Sequence, residues 1–199
     1  MNLIFNKYIS IFVFLLFLVS CSKPKARKPV TKTNNSFIQA SIKRNKIINQ
    51  NQEAFFADRM KKDSVHQYIN SKHGFWYYIQ SKKDSLGKIP NIGDEVVLNY
   101  EIRSVDGSVI LPKEKLGSYG QVNKADRLYK VDRENFIPGV QEAVKQMHVG
   151  ETAVLLLPSN KAFGVTGLDN YIAPNQPLVI EVYLKKINPK QIKNNEKNN

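Results

Sequence analysis

Between Phe136 and Gly167 the chain sets out residues suited to meeting a ligand, and hardly one of them suited to attacking it. The stretch opens Phe136-Ile137-Pro138-Gly139-Val140, passes Met147-His148-Val149-Gly150-Glu151 and an apolar run to Leu157 and Pro158, and ends Lys161-Ala162-Phe163-Gly164-Val165-Thr166-Gly167. The side chains that point to a ligand site are apolar or aromatic, without a nucleophile paired to a base and without metal-ligand spacing. Such a set suits a reaction that makes and breaks no covalent bond, and rotation about a prolyl amide is the leading example. His66, His73 and His148 are scattered and read as surface or structural residues, so neither a metal nor another cofactor is expected.

Residues of this kind need a strand-rich frame. Gly74-Phe75-Trp76-Tyr77-Tyr78-Ile79 has the aromatic and β-branched content of a strand, and Asp94 to Arg103 reads as another. Asp106-Gly107 marks a tight turn into Val109, Ile110 and Leu111. Leu128 to Val131, Thr152 to Leu157 and Leu178 to Ile187 supply further strands, the last alternating Leu178, Ile180, Val182 and Leu184 against Val179, Glu181 and Tyr183. Pro138 suits the first turn of a short helix with Val140, Ala143, Val144 and Met147 inward and Gly150 as its stop. The sum predicts an α+β domain with one short helix laid on an antiparallel sheet.

Upstream, Ser36 to about Asp63 turns helical, with Ser36 as a candidate cap. Phe37, Ile42, Ile48, Phe55, Phe56 and Met60 belong to its apolar stripe, which polar Asn49 to Gln52 interrupts, leaving one helix or two open. The segment is expected to pack on the domain or to pair with a second copy.

The first residues read as an export signal. Lys7 is followed by an almost unbroken apolar run from Ile9 to Val19, shorter than the roughly 20 residues of a permanent span. The run closes Leu18-Val19-Ser20-Cys21, and Cys21 is the only cysteine, which excludes an internal disulfide. This resembles the bacterial lipobox, in which that cysteine is lipidated; the alternative is an ordinary secretory signal with an incidental cysteine. The expected anchor places the protein in the cell envelope, at the outer membrane facing the periplasm. A composition of 42% hydrophobic and 10% aromatic residues is enough for a core. The net charge of +13 would raise nucleic acid as a partner, but much of it lies outside the domain: Lys23, Lys25, Arg27, Lys28 and Lys32 follow Cys21, and Lys193 and Lys197 lie near the end. Basic residues beside a lipid anchor suit anionic headgroups or a solvated tail instead, and no nucleic-acid partner is expected.

Taken in order, Tyr100 before Asp106-Gly107, Ile137-x-Gly139, Met147-x-x-Gly150-Glu151, Ala162-Phe163-Gly164, Pro174 and Leu178-x-Ile180-x-Val182-x-Leu184 resemble the FKBP-type peptidyl-prolyl isomerases. The likeness covers about Asn91 to Ile187. With the lipobox, the N-terminal helix and the Gly74 to Tyr78 strand, the whole also resembles the gliding-motility-associated isomerase lipoproteins of the Bacteroidetes. The family fold this implies is a strongly twisted antiparallel sheet wrapped around one short α-helix, here with an N-terminal helical extension. The chain would then comprise a signal (1–20), a flexible tether (21–35), an N-terminal helical segment (36–73), an isomerase domain (74–187) and a disordered tail (188–199).

The resemblance also implies a pocket. Tyr100, Ile110 and Leu111 would form one side, Tyr129 an aromatic wall, and Phe136 and Ile137 the entry before the helix, the Ile137 N–H aimed at ligand carbonyls. Val140 would be the floor, Phe163 the rim, Ile172 the following loop and Ile180 the last strand. Several positions depart from the family pattern: Leu111 stands where an aspartate is typical, Val140 where tryptophan is frequent, Phe163 for a tyrosine and Leu168 for a loop histidine. Smaller Val140 is expected to deepen the slot. The implied partners are proline-containing polypeptides and the membrane, with self-association through residues 36–63. Two functions are implied: an envelope isomerase that assists folding of exported proteins, or a proline-segment binding chaperone or scaffold with vestigial catalysis.

Overall fold

The structure, a computed structural model, describes residues 35–81, 87–118 and 123–190. The expected signal, Cys21, nearly all of the tether, and residues 191–199 of the tail lie outside the described residues. The chain divides into two compact units, 1–38 and 39–199, and the whole sheet belongs to the second.

Helix α1 runs without a break from Asn35 to Lys62. Ser36 therefore lies inside it instead of capping it, and Asn49 to Gln52 do not split it. The helix stops where the Asp63 carboxylate accepts the N–H groups of Val65 and His66, at 2.9 and 3.2 Å. Residues 36–73 are consequently not all helical: Ile69–Ser71 forms β1, which Gly74, at φ 79°, turns back onto β2 (Phe75–Ser81).

The remaining elements are β3 (Glu95–Arg103), β4 (Val109–Leu111), β5 (Arg127–Lys130), the seven-residue α2 (Pro138–Val144), β6 (Thr152–Leu157) and β7 (Leu178–Asn188). Every pairing is antiparallel, in the order β1-β2-β6-β7-β3-β4, with β5 also on β3. Asp106-Gly107 makes the expected hairpin, with the Ser104 N–H donating to the Ser108 carbonyl at 2.8 Å. The chain expected to be disordered from residue 188 is ordered a little further, because Asn188 pairs with Glu95 and the Asp94 carboxylate accepts the Lys190 N–H at 2.9 Å.

Strand alternation gives the sheet two apolar faces. Leu98, Tyr100 and Ile102 of β3, Ala153, Leu155 and Leu157 of β6, and Ile180 and Val182 of β7 face α2 in one core. Val154, Leu156 and Val179 point the other way and are covered by Phe56 of α1, whose ring lies 6.0 Å from that of Trp76. The N-terminal helix thus packs on the back of the sheet. Among the described residues, no helix is long and apolar enough to cross a membrane.

Candidate functional site

The site begins with a dipeptide that cannot both be helical. Ile137 precedes a proline, so it stays extended at φ −64°, ψ 118°, while Pro138 supplies the first helical residue of α2. The Ile137 carbonyl accepts the Gln141 N–H at 2.9 Å, and its own N–H donates to no acceptor among the described residues. Gly139 then lets α2 close on the sheet: a Cβ there would sit 2.4 Å from Leu157 Cδ2 and 3.0 Å from the Lys161 carbonyl. Val140, Ala143 and Val144 are buried on the inner face as expected, but α2 ends at Val144, so Met147 is buried from the turn beyond it.

All ten residues read as pocket positions converge on one apolar cluster. Tyr100, Leu111, Tyr129, Ile137, Val140, Ile172 and Ile180 are buried members, with Ile110, Phe136 and Phe163 packed against them, partly exposed. Register explains the convergence. Ile102 pairs with both Leu111 and Ile180, Tyr100 with Val182, and Val96 with Tyr129, so these side chains share the face that α2 covers.

Phe136 is the centre of the arrangement. It meets Tyr100 edge-on at 5.3 Å and lies nearly parallel to Tyr129 at 5.2 Å, and the Arg127 guanidinium carbon stands 5.5 Å from its centroid. Tyr129 is fully buried and supports Phe136 instead of forming an open wall; its hydroxyl accepts from Gln141 Nε2 and from the Asp132 N–H, each at 3.2 Å. Burial raises the Tyr100 phenol above its ordinary pKa, with Arg127 opposing, so this group stays neutral near pH 7.

The residue expected as the floor, Val140, has no exposed surface. Ile180 is likewise wholly covered and Ile172 nearly so, all three within the core cluster. The partly exposed edge consists of Ile110, Phe136 and Phe163.

Phe163 sits on a bonded loop. Its carbonyl accepts from Thr166 Oγ1 at 3.0 Å and from the Gly167 N–H at 3.3 Å. Leu168 and Ile172 exchange two backbone hydrogen bonds, and Gly167, at φ 67°, passes so near that a Cβ would lie 2.2 Å from the Ile172 carbonyl. Leu168, replacing a family histidine, packs on the core.

His66, His73 and His148 each stand beside a carboxylate, at 2.8 Å from Asp63, 3.2 Å from Glu142 and 3.3 Å from Glu151. Among the described residues no group of three His, Cys, Asp or Glu is placed to hold a metal ion.

Two supporting residues escaped the sequence reading. Arg127 stands two positions before Tyr129 on β5, so strand periodicity alone puts both on one face. Gln141, one turn into α2, carried no signal; its amide ties the Tyr129 hydroxyl to the Glu134 carbonyl.

Comparison with known proteins agrees with this architecture. Residues 87–185 match the family model of the FKBP-type peptidyl-prolyl cis-trans isomerase. The chain is 33% identical over 135 residues to the probable FKBP-type isomerase FkpA of Neisseria meningitidis, covering 68% of this chain and 44% of that protein. It is 36% identical over 100 residues to FK506-binding protein 1B of Aspergillus fumigatus, covering 49% of this chain and 82% of that one. It spans 41% of the isomerase Mip of Coxiella burnetii, so less than half of either bacterial relative. Its fold is similar to the crystal structure of FkpA from Escherichia coli, with TM-score 0.57 and 24% identity over 79% of this chain and 67% of that one.

Proposed function

This chain belongs to the FKBP-type peptidyl-prolyl cis-trans isomerases, and on that premise we propose that it speeds rotation about X–Pro bonds in polypeptides, using the cluster around Phe136. The observation that carries the reading is the union of partly exposed Phe136 with the Tyr100 ring and the Ile137 N–H, which donates to no acceptor among the described residues. The planar amide loses its resonance over a barrier of about 20 kcal/mol. Its carbonyl is less polar when twisted, so an apolar enclosure favours the twisted state over the planar one, the differential binding that catalysis needs. The Ile137 N–H orients the substrate by donating to a neighbouring carbonyl. A prolyl ring that reaches Val140 does so by turning aside Ile110, Phe136 or Phe163. No general base takes part. Purified protein should accelerate cis-to-trans conversion of an X-Pro peptide with apolar X; a rate equal to buffer alone removes the proposal.

A second reading, a proline-segment binding chaperone or scaffold, is favoured by the covered floor at Val140 and by Leu111 and Phe163. Peptide binding without rate enhancement would select it.

The envelope setting belongs to the same proposal. Lipidation at Cys21 would hold the protein at the outer membrane facing the periplasm, among exported clients, and is supported by the lipobox-like run and the basic residues after it. Cys21→Ser should abolish acyl labelling and release the protein to the soluble fraction. A link to gliding motility rests on the sequence resemblance, and unchanged spreading of a deletion strain would dismiss it. Self-association through α1 is supported by exposed Ile42, Ile47 and Phe55; a monomeric sedimentation coefficient at tens of micromolar protein would exclude it.

A further inference from the structure

We propose that Gln52, in the middle of α1, is a positioning residue that fixes the edge of the site carrying Phe163 and Ile172. The inference rests on the isomerase reading above. Gln52 is 9% exposed, and its two amide atoms reach the two ends of one loop. Oε1 accepts the Ser159 N–H at 2.7 Å, and Nε2 donates to the Asn175 carbonyl at 2.8 Å.

Those ends are also tied to each other. The Gly164 N–H donates to the Ser159 carbonyl at 2.8 Å, and the Asn175 N–H donates to the Gly164 carbonyl at 2.7 Å. The result is a closed circuit, Gln52 to Ser159 to Gly164 to Asn175 and back. Phe163 adjoins one node of it, and Ile172 lies three residues before another.

Only a glutamine serves this geometry. The site asks for one acceptor and one donor at the end of a two-methylene arm. Asparagine is one carbon short, and glutamate offers no donor to the Asn175 carbonyl. Phe56, one turn further along α1, is wholly buried in the back-face cluster. The helix therefore has its own apolar anchor, and changing Gln52 acts on the loop more than on helix docking. Through this circuit the N-terminal helix on the back of the sheet sets where the Phe163 ring stands at the front.

The test is a double-mutant cycle on kcat/KM for an X-Pro peptide, with thermal midpoints measured in parallel. Gln52→Glu in the full chain should lower kcat/KM at least fivefold, mainly through KM. In a Phe163→Ala background the same change should lower it less than twofold, because the ring it positions is gone. Gln52→Met, of equal length and without either bond, should repeat both results, and serves as the probe if Gln52→Glu melts early. A wild-type rate in both Gln52 variants, or equal losses with and without Phe163, overturns the positioning role while leaving the isomerase reading intact. A wild-type protein no faster than buffer overturns both.

Discussion

Tyr100 and Phe136, from β3 and from the turn before α2, meet edge to face with ring planes inclined at 86° and centroids 5.3 Å apart. Such a pair contributes about 0.5–1.5 kcal/mol beyond area burial, and here it holds a partly exposed ring that packs on the core cluster. Phe136→Ala and Tyr100→Ala should each lower kcat/KM for an X-Pro peptide about tenfold, the rate equivalent of 1.4 kcal/mol. Tyr100→Phe keeps the ring contact and should stay within about twofold of wild type. A Phe variant as slow as the Ala variant would show that the hydroxyl, not the ring, carries the effect.

Phe163→Ala removes the edge of the site from the other side. Because this ring is only partly buried, its loss should depress kcat/KM, mainly through KM, with little change in stability. Proline-peptide kinetics compared with urea midpoints will separate the two.

Gly139 has no room for a side chain. A Cβ would lie 2.4 Å from Leu157 Cδ2 and 2.9 Å from Cδ1, with the Lys161 carbonyl at 3.0 Å behind them. Gly139→Ala is expected to cost about 1–3 kcal/mol by overpacking, read as a lower urea midpoint at an unchanged slope. A midpoint equal to that of wild type would mean that α2 slides freely on β6.

Acid should destabilise the protein through aspartates held below their usual range, Asp126 and Asp63 among them. Burial alone would raise the Asp126 pKa, but the Lys185 ammonium at 2.8 Å and the Asn99 amide at 2.9 Å outweigh it and hold the carboxyl below its usual range. Asp63 is likewise held well below the usual carboxylate range, by the hydroxyl of Tyr68, by His66 and by the Val65 N–H. A carboxylate whose folded pKa is depressed contributes stability that is present above its unfolded value of about 3.9 and is lost as pH falls through the folded value. Urea midpoints should therefore fall below about pH 4. Asp126→Asn should be less stable than wild type at pH 7 and converge with it in acid. Parallel curves for the two proteins would reject this account.

Much of the sheet was legible because its strands obey simple alternation. Leu98, Tyr100 and Ile102 show their inward face in sequence, as do Leu178, Ile180 and Val182. The site residues were singled out by the family resemblance; alternation and the Pro138 signal for α2 account only for why they face one core. What was not legible depends on partners distant in sequence. Gln52 looked like part of a polar break in an apolar stripe, whereas its partners are backbone groups at Ser159 and Asn175, 107 and 123 residues away. A side chain satisfied by main chain carries no pattern of its own. The complete burial of Val140 was not foreseen, because residue size alone suggested a deeper slot. β1 was overlooked since three residues pairing at a sheet edge are too few to show a period.

β7 has apolar side chains on both surfaces through Leu178, Val179 and Ile180, and Val154, Leu156 and Val179 rely on Phe56 for their cover. A shortened version starting at Gly74 would leave that patch wet. Such a product should precipitate or recruit detergent during purification, even though every residue assigned to peptide contact is still in it. The extension is thus no detachable handle, and the smallest well-behaved fragment will be one that keeps Phe56.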